Sequence, residues 1–136
     1  MHKGFLKVAL IMGALSVMMG AFGAHALKDL VSQRVTVTFE TAVRYQFYHV
    51  FALLVVAILY KEFNRPWLKA AGYCIIAGFL LFCGSLYMLC YVQAIVSPGY
   101  KWLGPITPLG GVAFIAGWVC MLVAVFRTRS WAGTSV

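Results

Sequence analysis

Four long apolar stretches, separated by short basic connections, dominate this sequence. A helix needs about 20 apolar residues to cross the roughly 30 Å hydrocarbon core of a bilayer, and lipid requires its backbone hydrogen bonds to be made internally. Only 10% of the residues are charged and 63% are hydrophobic, whereas soluble domains have about 25% charged residues. The sequence therefore predicts an all-α polytopic membrane protein, a four-transmembrane-helix bundle that forms one domain over residues 1–136.

The apolar stretches predict helices at about residues 5–27, 39–60, 70–92 and 108–126. The first connection, residues 28–44, is the most polar part of the chain, and residues 34–39 within it alternate like a strand. A lone strand beside a bilayer would leave its hydrogen bonds to water, so we expect a short interfacial helix between helices 1 and 2. Residues 97–99 predict a turn, after which Thr107 is expected to cap helix 4, with Pro108 at its first position.

The distribution of cations predicts the orientation. The net charge is +8, and the cations flank the apolar stretches, as topology signals and lipid headgroup contacts do. We therefore expect membrane lipid as a partner, and no nucleic acid. Of the 11 Lys and Arg residues, seven lie on the side of the termini and four on the other side, which predicts cytoplasmic termini. The seven are Lys3, Lys7, Lys61, Arg65, Lys69, Arg127 and Arg129.

Small residues recur at helical spacing on helices 1 and 4. Such residues let helices approach closely in lipid, and this predicts packing roles within one chain or in a homo-oligomer. The set consists of Gly13, Ser16, Gly20, Gly23, Ala24, Gly110 and Gly117. The four cysteines lie within apolar stretches and form no C-x-x-C pair, so we expect neither a metal site nor a cofactor.

The polar residues of the apolar stretches are predicted to converge at the end of the bundle opposite the termini. His25 lies near the end of helix 1, and Tyr45 and His49 lie near the start of helix 2. Polar groups in lipid usually face the bundle interior, so we expect these three side chains to share one cluster under a rim of basic residues that includes Lys101. The candidate ligand-binding residues are His25, Lys28, Arg44, Tyr45, His49, Tyr87 and Thr107.

Several roles are open for this cluster. It could be structural, or it could bind a lipid headgroup, a quinone or another amphipathic molecule. The histidines could also serve proton-coupled transport, or His25 and His49 could ligate haem. An enzyme is not supported, because the only carboxylates are Asp29, Glu40 and Glu62 and no Ser-His-acid arrangement is evident.

Several stretches resemble a known family. They are Gly20 to Lys28 (GAFGAHALK), Thr41 to His49 (TAVRYQFYH), Gly84 to Tyr87 (GSLY) and Thr107 to Gly111 (TPLGG). The chain resembles the small membrane proteins grouped as domain of unknown function 423, related to eukaryotic transmembrane protein 256. The resemblance implies a four-helix protein of the bacterial inner membrane. It implies no biochemical activity.

Overall fold

The computed structural model describes residues 1–95 and 103–128. Its helices are α1 (Lys3–His25), α2 (Gln33–Leu59), α3 (Arg65–Gly78), α4 (Gly84–Ile95) and α5 (Ile106–Arg127). A π-helical segment, Phe79–Cys83, joins α3 to α4 in one continuous third span, and a short 3-10 turn, Leu27–Asp29, follows α1. The described residues thus contain four helical spans that are long and apolar enough to cross a membrane, which confirms the predicted fold class.

Helix α2 begins at Gln33, earlier than the predicted start at residue 39. Ser32 precedes it with extended backbone angles, φ −63° and ψ 154°. The Thr38 hydroxyl donates to the Arg34 carbonyl oxygen at 3.0 Å, and Val35 and Phe39, one turn apart, are both buried. The pattern that alternates like a strand therefore fits a helix equally well, and most of the predicted interfacial segment is the start of α2.

The third and fourth spans also extend beyond their predicted limits. Pro66 is accommodated in the first turn of α3, where a missing N–H costs nothing. Helix α5 begins at Ile106, with Pro105 as its N-cap residue. Thr107 does not cap it, because its hydroxyl is hydrogen-bonded to Ser85 at 2.7 Å. The predicted turn at residues 97–99 lies outside the described residues, as does Lys101.

The two middle spans form the centre of the bundle. Helix α1 packs along α2, α5 packs along the third span, and α2 contacts the third span between them. In the most apolar stretch of each span, 44% of α2 and 39% of the third span are buried, against 17% of α1 and 22% of α5. The outer spans therefore present most of their surface to lipid. The largest fully buried side chains are Leu53, Ile75, Val56, Cys83 and Ser16.

The predicted glycines of α1 set its register against α2. A Cβ atom at Gly13 would lie 3.5 Å from Val50, and one at Gly20 would lie 3.6 Å from Val43. Near the end of α1, a Cβ at Gly23 would lie 2.9 Å from the Phe39 ring. The two helices are thus antiparallel. Ser16 is buried as well.

Ala24 departs from the predicted packing set, because it is exposed. Its neighbour Gly23 faces α2 instead, and consecutive helical residues point about 100° apart. Near the same helix end, residues 26–32 link α1 to α2, and we call this end of the bundle the connection end.

The opposite end, which we call the terminal end, is fastened by hydrogen bonds that two backbone N–H groups donate. The N–H of His2 donates to the Ala57 carbonyl oxygen at 2.7 Å, which ties the start of α1 to α2. The N–H of Asn64 donates to the Thr128 hydroxyl at 2.9 Å, which ties the start of α3 to the end of α5.

Glycines also bring α5 and the third span together. A Cβ at Gly110 would overlap the backbone of Leu81 and Phe82 in the π-helical segment, and one at Gly117 would lie 3.0 Å from Ile75. Gly78, which was not predicted, leaves room for the Phe114 ring. Two backbones therefore touch at Gly110, where a side chain has no space.

We predict that Gly110→Ala destabilises the protein, while the neighbouring Gly111→Ala does not. A methyl group at Gly110 meets backbone atoms, which cannot rotate away, whereas one at Gly111 would lie 3.8 Å from the Phe82 ring, an ordinary contact. Overpacking costs about 1–3 kcal/mol in protein cores. Thermal unfolding in detergent would measure the difference, and equal midpoints for the two variants would contradict the observed backbone contact.

Candidate functional site

His49 is a buried polar residue on α2, with only 5% of its surface exposed. Its Nδ1 atom lies 2.7 Å from the backbone oxygen of Tyr45, and its Nε2 atom lies 3.3 Å from the indole nitrogen of Trp118. A carbonyl oxygen only accepts and an indole N–H only donates. Nδ1 therefore carries the hydrogen, Nε2 accepts, and the neutral imidazole joins α2 to α5 with both nitrogens occupied.

Aromatic rings surround this imidazole. The Phe114 ring stacks on His49, with centroids 3.5 Å apart and planes 13° from parallel. The Tyr45 and Phe82 rings lie beside it, with their centroids 4.8 Å apart. These rings line a groove of about 390 Å³ between α2 and α5, which we call the aromatic groove. Its lining residues are Tyr45, His49, Phe82, Gly111, Phe114, Ile115 and Trp118.

The aromatic groove faces the lipid near the middle of the membrane. Ile115 is 65% exposed and Trp118 is 50% exposed, so the groove is open on its outer side. Val50, the neighbour of His49, lies opposite Gly13, which is near the centre of α1. His49 is therefore at mid-depth, and not at the end of the bundle where the sequence placed it.

His25 does not share this site. It is exposed at the end of α1. From Gly13, which marks the depth of His49, to His25, α1 rises about 18 Å, given the rise of each helical residue. The prediction that the two histidines share one cluster is wrong, and they cannot serve as the two axial ligands of one haem.

A second polar network links the first three spans around Gln46. The Tyr87 hydroxyl donates to Gln46 Oε1 at 2.8 Å, and Gln46 Nε2 donates to the Met12 carbonyl oxygen at 3.2 Å. The Ser16 hydroxyl donates to the same carbonyl oxygen at 2.7 Å. Both functional groups of the buried Gln46 amide are thus hydrogen-bonded.

Thr107 belongs to a third polar contact. The Ser85 hydroxyl donates to the Phe82 carbonyl oxygen at 3.0 Å, so the Thr107 hydroxyl donates to Ser85. This contact joins the start of α5 to the third span just after its π-helical segment. Segments of this kind are often found at functional sites.

The two predicted cations lie elsewhere. Lys28 is exposed in the turn after α1, and Arg44 is exposed on α2, where it lines a separate groove against α1. Of the predicted ligand-binding residues, the structure brings only Tyr45 and His49 together in the aromatic groove. It adds Phe82, Phe114 and Trp118, which the sequence analysis missed. Trp118 carried a signal, since tryptophan near the centre of a span is unusual.

No charged side chain lines the aromatic groove. Asp29, Glu40 and Glu62, the three carboxylates of the chain, are all exposed and lie near span ends or in connections. Among the residues that the structure describes, no group of three His, Cys, Asp or Glu side chains could hold a metal ion. The aromatic groove can therefore offer stacking surfaces and hydrogen bonds, without a charge of its own.

Comparisons with known proteins agree with the membrane fold. Residues 19–111 match the model of a family described as protein of unknown function (DUF423). A UPF0382 membrane protein of Staphylococcus aureus is 41% identical over 128 residues, and the UPF0382 membrane protein YwdK of Bacillus subtilis is 40% identical over 127 residues. Each alignment covers 90% of this chain and 98% of the relative. No solved structure gives a significant match.

The hydrogen bonds of His49 predict its tautomer. In the protein labelled with ¹⁵N-histidine and reconstituted in lipid, we expect one imidazole with a protonated Nδ1 and an unprotonated Nε2 that accepts a hydrogen bond. Trp118→Phe removes the donor, and we expect the Nε2 resonance to shift while Nδ1 stays protonated. Solid-state NMR makes this measurement, and His49→Phe assigns the signal. A protonated Nε2 in the wild-type protein would contradict the arrangement.

Proposed function

The chain belongs to the DUF423 family of membrane proteins, and from that premise we propose that it binds a membrane-dissolved amphipathic molecule with a flat ring, such as a quinone, in the aromatic groove. One observation carries this proposal. A groove of about 390 Å³ opens to lipid at mid-depth between walls of aromatic rings. Ligand sites commonly measure about 300–1,000 Å³ and combine apolar walls with a few polar groups.

The residues that line the aromatic groove have different roles in the proposed binding. The faces of the partly exposed Phe82 and Trp118 rings favour stacking against a ligand ring, whereas Phe114 is buried and already stacked on His49. Tyr45, which is 40% exposed, supplies a hydroxyl at the edge that can hydrogen-bond to a carbonyl or hydroxyl group of the ligand. Both nitrogens of His49 are already occupied. Its role in this proposal is structural: it holds Trp118 and Phe114 in place.

Proton-coupled transport has weaker support than binding. Transport through the bundle needs a chain of exchangeable groups, and proton relays in membranes usually include carboxylates. Within residues 1–95 and 103–128, no hydrogen bond joins the Gln46 network, the His49 contacts and the Ser85 contact to one another. None of the acidic side chains, Asp29, Glu40 and Glu62, takes part in any of these three sets of hydrogen bonds.

Two leucine substitutions on α5 test ligand binding. Gly111→Leu places a side chain inside the aromatic groove, and its Cβ meets no close atom. Val112→Leu places a leucine at the adjacent position, on a surface that faces lipid, and enlarges the side chain there by one methylene group. Binding of short-chain benzoquinone and naphthoquinone is measured by their quenching of tryptophan fluorescence. We expect Gly111→Leu to lower the affinity for these probes about tenfold, and Val112→Leu to bind them with the affinity of the wild type.

Equal affinity in the two variants would contradict binding in the aromatic groove. Mass spectrometry of extracts from purified protein provides a second measurement. A ring-containing amphipathic molecule should be retained by the wild type and by Val112→Leu, and should be depleted from Gly111→Leu. Circular dichroism checks that both variants keep their helices.

We also propose that the protein resides in the bacterial inner membrane, with both termini in the cytoplasm and lipid as its partner. The larger group of cations lies on the side of the termini, and the relatives named above are bacterial membrane proteins. The glycines considered for a homo-oligomer, such as Gly20 and Gly110, face other spans of the same chain. This favours their use in packing within one chain.

Reporter fusions test the orientation. A reporter that is active only in the cytoplasm should work after the last residue, and one that is active only in the periplasm should work when it is inserted in the α1–α2 link, residues 26–32. The physical reason is the retention of Lys- and Arg-rich ends on the cytoplasmic side. A periplasmic reporter that is active after the last residue would contradict the proposed orientation.

A further inference from the structure

A second groove, on the α1 side of α2, carries both signs of charge. It measures about 230 Å³ and lies near the connection end. We call it the charged groove. Its lining residues are Gly20, Gly23, Phe39, Glu40, Val43 and Arg44. The two glycines belong to α1 and the other four residues to α2, where the two charged residues are one helical turn apart.

The register of the helices sets the depth of each charge. Gly23 lies opposite Phe39, so the adjacent Glu40 is near the end of α1, which finishes at His25. Arg44 follows one turn later, about 6 Å deeper. Because Gly20 lies opposite Val43, Arg44 is level with the part of α1 about 8 Å inside its end. A cation at this depth is costly in lipid unless it reaches polar groups.

Arg44 has a route to such groups. A long arginine side chain extends toward the interface while its stem stays among apolar atoms. The charged groove lies along this route, because the glycines of α1 contribute no side chains to fill it. A Cβ atom at Gly20 would still lie 3.6 Å from Val43. The open space is therefore a property of this helix pair, and Arg44 lines it.

We propose that the charged groove binds the headgroup of a zwitterionic phospholipid that has a primary ammonium group, such as phosphatidylethanolamine. Arg44 takes the phosphate, which a guanidinium group can hold through two hydrogen bonds. Glu40 takes the ammonium group, whose N–H atoms donate to the carboxylate. In a bilayer the phosphate lies closer to the acyl chains than the end of the headgroup does, and this order matches the deeper Arg44 and the shallower Glu40.

The chemistry of the groove distinguishes this lipid from others. An anionic headgroup such as glycerol phosphate would meet Arg44 equally well, but its neutral hydroxyl groups would donate weaker hydrogen bonds to Glu40 than an ammonium group does. A choline headgroup has no N–H to donate. The volume of about 230 Å³ suits a headgroup and not a whole lipid, so the acyl chains would continue along the apolar surface of α1 and α2.

Native mass spectrometry of delipidated protein tests the proposal. The probes are phosphatidylethanolamine, phosphatidylglycerol and phosphatidylcholine of equal chain length. We expect the wild type to bind the ethanolamine lipid about fivefold more tightly than the other two. Arg44→Gln should weaken binding of all three lipids, and Glu40→Gln should remove the preference for ethanolamine. Arg34→Gln is the matched control, because Arg34 is exposed on the same helix and does not line the groove.

Three outcomes would overturn the proposal: tighter binding of phosphatidylglycerol than of phosphatidylethanolamine, an ethanolamine preference that survives in Glu40→Gln, or equal effects of Arg44→Gln and Arg34→Gln. If Arg44→Gln does not fold, Gly20→Leu gives a second test, since its side chain enters the groove, and retained ethanolamine binding there would contradict the site. Gly111→Leu, which fills the aromatic groove, should keep the ethanolamine preference, so the two proposed sites can fail independently.

Discussion

A polar group inside a membrane finds hydrogen-bond partners only within the protein, and this constraint decides how the four spans are arranged. Helix α2 meets it by bonding to every other span. Gln46 is bonded to the Met12 carbonyl oxygen of α1 and to Tyr87 of α4, and His49 is bonded to Trp118 of α5. Each bond fixes both the depth of a helix and its rotation about its axis. Lipid solvates every apolar face of a helix about equally well, so burial of apolar surface alone does not select one orientation. These few hydrogen bonds therefore determine much of how the helices are oriented in the bundle.

The sequence was sufficient to predict the number of spans and several close contacts, because both follow from local composition. The contacts at Gly110 and Gly117 are examples. The relative depth of side chains in the membrane was harder to predict, because it depends on where each helix begins. The predicted start of α2 at residue 39 put His49 near the end of the bundle, whereas the observed start at Gln33 places it about 9 Å deeper. That displacement separates His49 from His25.

The aromatic groove was missed for a different reason, which is the π-helical segment of the third span. A segment of this kind adds a residue to a turn, and one residue corresponds to about 100° of helix rotation. Assigning faces with a uniform period of 3.6 therefore fails beyond Phe79, and the position of Phe82 beside Tyr45 cannot be read from spacing. The contact of Gly110 with this segment brings α5 close enough for Phe114 to stack on His49.

Two consecutive residues of α2, Arg44 and Tyr45, line different grooves because neighbouring side chains on a helix point about 100° apart. A rotation of α2 that widened one groove would therefore alter the other. The hydrogen bonds of Gln46 and His49 oppose such a rotation, since turning α2 in either direction would leave polar atoms unpaired in lipid, at a cost of about 1–3 kcal/mol each. Both grooves are thus held at a fixed width by side chains that need not touch a ligand. The polar residues at the centre of the bundle can therefore be structural, while the groove surfaces that they position bind the ligands.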